Sequence, residues 1–170
     1  AYQGCHWDNT NKHTEHLAEK NAGYLKAVYE EGYRPFVGID AKYHQTTWCV
    51  EEAIGFIEAN LEHNWLISIN PFDPHHPIDP PPEFQSRIDE KNMKLPLWQQ
   101  GELDNKPPFH KKDYIEGAMD GRCHSIIGMS EEQKQQNTRD YYAQIELIDE
   151  QFGRLMDYLD EKGLRENTIV

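Results

Sequence analysis

Residues 65–84 read WLISINPFDPHHPIDPPPEF, and the folding of this stretch decides the architecture. It opens on an apolar run, WLISI, rich in strand formers and closed by Asn70 and Pro71. Unbroken apolar character suits an interior strand covered on both faces, as in a parallel sheet. The chain then enters a proline-rich turn that carries His75 and His76. In open α/β sheets, ligands bind beyond the carboxyl ends of the strands. His75, six residues past Ile69, falls where such a site would be. Pro74 and Pro77 fix two backbone φ angles around the histidine pair, which lowers the entropy lost in holding an imidazole still. An imidazole so held can hydrogen-bond an anion or give a proton to a leaving oxygen. The same residues also make a stiff turn with solvated histidines, and pattern alone favours that plainer reading.

Working outward, residues 47–62 form an expected helix. Thr47 is placed to cap it, and Val50, Ala53, Ile54, Ile57 and Leu61 make one apolar face. Farther upstream, residues 14–32 read as a helix with Leu17, Tyr24, Leu25 and Val28 on one side and Gly32 as its stop. Downstream, residues 71–112 hold nine of the ten prolines and show no helix or strand of any length. A loop this long is ordinarily functional or disordered, and Phe72, Phe84, Trp98 and Phe109 favour an ordered, packed one. Ser130 and Gln133 then spell a capping box. A long helix follows to about residue 162, with Ile145, Ile148, Phe152, Leu155 and Leu159 as its buried stripe and Gly163 as its stop. NTIV, at 167–170, reads as the start of another strand. The second half therefore predicts strand, long loop, helix, strand, the order of a parallel crossover unit.

The chain has 170 residues and a formal net charge of −13. That length suits one domain, and such acidity disfavours a general nucleic-acid binder. Its 19 aromatic residues argue against disorder. No apolar run is long enough to span a bilayer, and the N-terminus has no charged-then-apolar signal region. The first residue is not Met, and the last lies inside an expected strand. The chain reads as an internal piece of a larger protein.

Other chemistry is sparse. Cys5, Cys49 and Cys123 are too few for a disulfide scaffold. Cys5, His6, His13 and His16 cluster near the start, but a structural zinc site would need a second pair at a usual spacing. Cys123 and His124 adjoin without evidence of a nucleophile–base pair. GxSxG, P-loop and GxGxxG motifs are all absent from the sequence.

Three segments carry a resemblance. WLISINPFDPHHPIDPPPEF resembles the mid-domain segment of the sulfatases, in the alkaline-phosphatase-like superfamily, where a strand runs into a P-H-x-P loop. YHQTTWCVEEAIGFIE resembles the helix before that strand. DYYAQIELIDEQFGRLMDYLDEKGLRENTIV resembles the family's Tyr-rich helix, its "ID", and its "LD..GL..NTIV". The matches span residues 43–82 and 139–170, in the family's order. The resemblance implies an α/β fold: part of an alkaline-phosphatase-like sandwich, with a central, mostly parallel sheet flanked by helices, plus a long irregular loop. It divides the chain into a site-bearing helix–strand–loop (43–82), an irregular substrate-side loop (83–129), and a long helix with the start of a strand (130–170).

The resemblance also implies hydrolysis of sulfate esters or N-sulfates, on a sulfated small molecule or glycan, without nucleic acid or membrane. The family uses formylglycine, made from Cys or Ser in C/S-x-P-x-R, and a divalent cation, usually calcium. One family residue carries over: His75, the histidine of P-H-x-P, as sulfate-binding residue or general acid. His76 stands at the variable position and is expected to border the substrate. None of the cysteines begins C-x-P-x-R; they read CHWDN, CVEEA and CHSII. No metal ligand is expected in this chain, the isolated piece is expected to bind no cofactor and to be inactive, and uncovered sheet edges would promote self-association. Sulfatases of this type are often exported, to the periplasm or beyond the cell. Alternatives are a phosphodiesterase or phosphonate monoester hydrolase of the same superfamily, a non-catalytic carbohydrate- or protein-binding module, and a His-rich metal binder using His6, His13 or His16.

Overall fold

Asp40 leads into a 3₁₀ turn, Ala41–Tyr43, and the chain enters helix α1, Gln45–Glu58, directly afterwards. The computed structural model describes residues 12–13, 15–16, 40–75, 78–117, 125 and 127–170. Helix α2, Pro82–Gln85, is a single turn opened by proline at its first position, where the missing N–H costs nothing. Helix α3, Pro108–Glu116, starts the same way. Helix α4, Glu131–Glu161, is the longest element at 31 residues. A second 3₁₀ turn, Arg165–Asn167, follows it. The expected helix at 14–32 lies outside the described residues, apart from Glu15 and His16, which are helical.

The chain divides into two units, Ala1–Ile88 with Asp140–Val170, and Asp89–Arg139. In the first, Val50 and Ile57 of α1 meet Leu155 and Leu159 of α4, and Trp65, Ile67 and Ile69 pack against this cluster. A second cluster joins Phe84 of α2 to Ala143 and Leu147 of α4. Phe84 is 1 % exposed, a burial that stabilises by roughly 2–3 kcal/mol. At the end of α4 the N–H of Leu164 donates to the Leu159 carbonyl at 2.8 Å and that of Gly163 to Asp160 at 3.0 Å. Gly163 takes the left-handed φ of 66° that this termination requires, and Leu164 folds back onto the Leu159 cluster.

In the second unit, Trp98 stacks on Tyr114 of α3 at 4.8 Å with 9° between the rings. Ser125 Oγ donates to the Tyr114 carbonyl at 3.1 Å. The capping box at the start of α4 forms as its sequence predicts. Gln133 N–H donates to Ser130 Oγ at 3.2 Å, and Ser130 N–H donates to Gln133 Oε1 at 2.8 Å. Of the expected irregular stretch 71–112, α2 and the start of α3 are helical after all, both nucleated by proline.

The expected α/β architecture is overturned. Among the described residues there is no strand, so the central parallel sheet, the crossover unit and the sheet edges fall with it. The reason is visible at 65–69. Trp65, Ile67 and Ile69 are half-buried, but Leu66 is 94 % exposed and Ser68 is exposed too. The run has a strand's two-residue alternation against the helices, but no strand among the described residues completes a ladder with it. NTIV departs likewise: Asn167 closes the second 3₁₀ turn, and Ile169 is fully exposed.

Candidate functional site

His75 sits at the exposed tip of the loop that follows Ile69. Its N–H donates to the Phe72 carbonyl at 3.1 Å, closing a tight turn. Its ring tilts against the Phe72 ring, 4.6 Å between centroids. The Asp73–Pro74 peptide bond within this turn is cis. His76 and Pro77 lie outside the described residues.

The loop's two flanks are buried. Asp73 and Asp79 are 8 % and 9 % exposed. Gln144, fully buried on α4, aims Nε2 at both: 3.2 Å to Asp73 Oδ1 and 3.3 Å to Asp79 Oδ1. Thr46, in the first turn of α1, donates its hydroxyl to Asp73 Oδ2. His44, 3 % exposed, completes the group. It caps α1, its Nδ1 accepting the Thr46 N–H at 3.3 Å. With Nδ1 accepting, the ring proton sits on Nε2, and the ring hydrogen-bonds the Asp79 backbone. Burial pushes the His44 pKa down to about 4, against the Asp79 hydrogen bond and Glu83, which raise it. The 3.4 Å approach of Nδ1 to Asp73 Oδ2 is therefore the contact of a neutral imidazole, not an ion pair.

Sequence reasoning places His75 on this loop but misses His44, Thr46, Asp73, Asp79 and Gln144. The available signals are two aspartates placed about the histidine pair and a glutamine amid apolar neighbours in α4. Thr47 does not cap α1; His44 does, three residues earlier.

The other candidates settle differently. His13 Nε2 lies 3.2 Å from the Tyr43 carbonyl, and its ring packs on Trp48 at 5.4 Å. Among the described residues, neither His13 nor His16 joins a metal-ligand group. Cys5, His6, Cys123 and His124 lie outside the described residues. Burial, with Asp73 and Glu52 nearby, pushes the Cys49 thiol up to about 11, which leaves it protonated and a poor nucleophile.

Neither of the two groups associated with the sulfatases fits these residues. Cys49, in CVEEA and shielded from ionisation, does not suit formylglycine formation. His44, Asp73 and Asp79 each offer a ligand atom, all within 4.8 Å of one another. A cation does not fit there, because Gln144 directs amide hydrogens at both carboxylates and the His44 Nδ1 lone pair receives the Thr46 N–H. This is a hydrogen-bonded clamp.

A buried hydrogen-bonded clamp thus joins the two flanks of the loop that carries the exposed His75. The sulfatase family model matches residues 2–170, and the chain belongs to the sulfatase family. It is similar to an arylsulfatase of Clostridium perfringens (strain 13 / Type A), 29 % identical over 137 residues, which is 80 % of this chain and 27 % of that protein. The chain thus spans about a quarter of the length of the curated relative it matches.

Proposed function

We propose that this chain supplies His75 to the site of a sulfatase that hydrolyses sulfate esters, N-sulfates included, on a sulfated carbohydrate or other small molecule. The observation that carries the reading is the placement of His75: exposed at the tip of its turn while both flanks of the loop are locked into the protein. An imidazole presented this way reaches a substrate without itself being buried. It can donate a hydrogen bond to a sulfate oxygen. It can also give its proton to the alkoxide that departs when the S–O bond breaks, the step that limits esters of poorly acidic alcohols. His76 is proposed to border the substrate. Formylglycine and the divalent cation belong, on this reading, to parts of the protein beyond the residues described. The 170-residue chain alone is expected to turn over no sulfate ester.

The test is a substrate panel on the full-length protein: an aryl sulfate, a sulfated monosaccharide, a phosphodiester and a phosphonate monoester. The reading predicts that kcat/KM for the sulfates exceeds that for the phosphorus substrates. A preference for the phosphodiester or the phosphonate would replace it with the related hydrolase activities.

A further inference from the structure

Gln144 is a polar residue in an apolar setting. It is 0 % exposed and lies on α4 between Ala143 and Leu147, also 0 % exposed. An aliphatic side chain of similar size would fill the space without the cost of desolvating an amide. The amide stands where it holds two carboxylates, and those carboxylates mark the two ends of the loop that carries His75. His44 hydrogen-bonds the Asp79 backbone, and Thr46 links it to the other end, donating its N–H to His44 Nδ1 at 3.3 Å and its hydroxyl to Asp73. Thr46 fixes the remaining oxygen of Asp73.

We infer that Gln144, with His44 and Thr46, is a positioning residue: it closes the 73–79 loop into a ring on the start of α1 and the middle of α4 and thereby sets the pose of the His75 imidazole. The inference rests on the reading of His75 given above. Its physical content is pre-organisation. Only five residues separate the two anchors, so pinning both removes most of the conformations open to the loop. Fixing the turn in advance spares the protein that ordering when substrate arrives. Misplacement of a reacting group by about 1 Å costs on the order of 10²-fold in rate, so a clamp remote from the chemistry can act on it strongly.

The test is a double-mutant cycle in the full-length protein. Gln144→Leu keeps the bulk and removes the donor. We expect kcat for a sulfate ester to fall by roughly 10- to 100-fold with KM changed far less. Added to His75→Ala, the same substitution should cost nothing further, because it acts only through His75. A Gln144→Leu protein with full kcat overturns the inference, as does a loss that multiplies in full with that of His75→Ala. If Gln144→Leu does not fold, Thr46→Val replaces it in the cycle, and its outcomes decide in the same way.

Amide hydrogen exchange separates this inference from the reading beneath it. Gln144→Leu should speed exchange at the His75 N–H, which closes the turn onto Phe72, by about tenfold or more, with little change in the middle of α4. If His75→Ala leaves the rate intact, the catalytic reading fails, and the clamp is then decided by exchange alone. Unchanged exchange at His75 overturns it.

Discussion

A neutral imidazole at position 44 ties the start of α1 to the Asp79 end of the His75 loop, and its protonation has a cost that can be read in solution. The folded-state pKa lies at about 4, below the ordinary value of about 6.5 for an exposed histidine. Between those values the unfolded chain binds a proton that the folded chain refuses, so stability falls as pH drops from about 6.5 towards about 4. The full effect is roughly 3 kcal/mol. The groups facing the ring are Asp73, Asp79 and Glu83. Denaturant unfolding across this range should show the slope. His44→Asn, which keeps a good capping acceptor and removes the titrating ring, should flatten it. A slope unchanged in that variant would show that His44 is not its source. At this scale the sequence is half legible. His75 announces itself by proline spacing and its P-H-x-P setting. Asp73, Asp79, Gln144 and His44 do not, because they lie up to 100 positions apart and only the folded chain shows that they share partners.

The two long helices show which elements a sequence can specify. The limits of α4 are legible because both are local: the Ser130–Gln133 box at one end and Gly163 at the other. Ser130→Ala should cost about 1 kcal/mol in denaturant unfolding. The inward face of α4 is less legible. Leu155 and Leu159 are buried as expected, but Ile145 and Phe152 are 39 % and 47 % exposed, while Leu147 is fully buried. Two faces of the helix are apolar in part, and a periodicity count cannot tell which one meets Phe84. Leu147→Ala should therefore destabilise by roughly 2–5 kcal/mol. Ile145→Ala, on the open side, should cost distinctly less in the same titration.

At the scale of the whole molecule, family membership is legible and the architecture is not. The WLISI, P-H-x-P and NTIV signatures point to the sulfatase family, to which the chain belongs. They also imply a sheet that the described residues do not contain. Strand pairing is a non-local property: an apolar run says that a segment can pair, while a ladder needs a partner. Leu66, 94 % exposed, and Ile169, 102 % exposed, show apolar runs with one side open. No helix among the described residues is long and apolar enough to cross a membrane. An open apolar groove of about 400 Å³, lined by Trp65, Ile67, Phe152 and Ile169 among others, lies along the first unit. Leu66→Ser, at an exposed position away from the core contacts, should change stability by no more than about 0.5 kcal/mol.

The central claim is that His75 serves sulfate-ester hydrolysis, and its most direct measurement is kcat/KM of the full-length protein on a sulfated monosaccharide, with and without His75→Ala. Loss of a group that protonates the leaving oxygen or holds the sulfate should lower kcat/KM by on the order of 10²-fold or more. A His75→Ala protein that stays within about twofold of the parent, a difference of less than about 0.5 kcal/mol in transition-state stabilisation, would contradict the account.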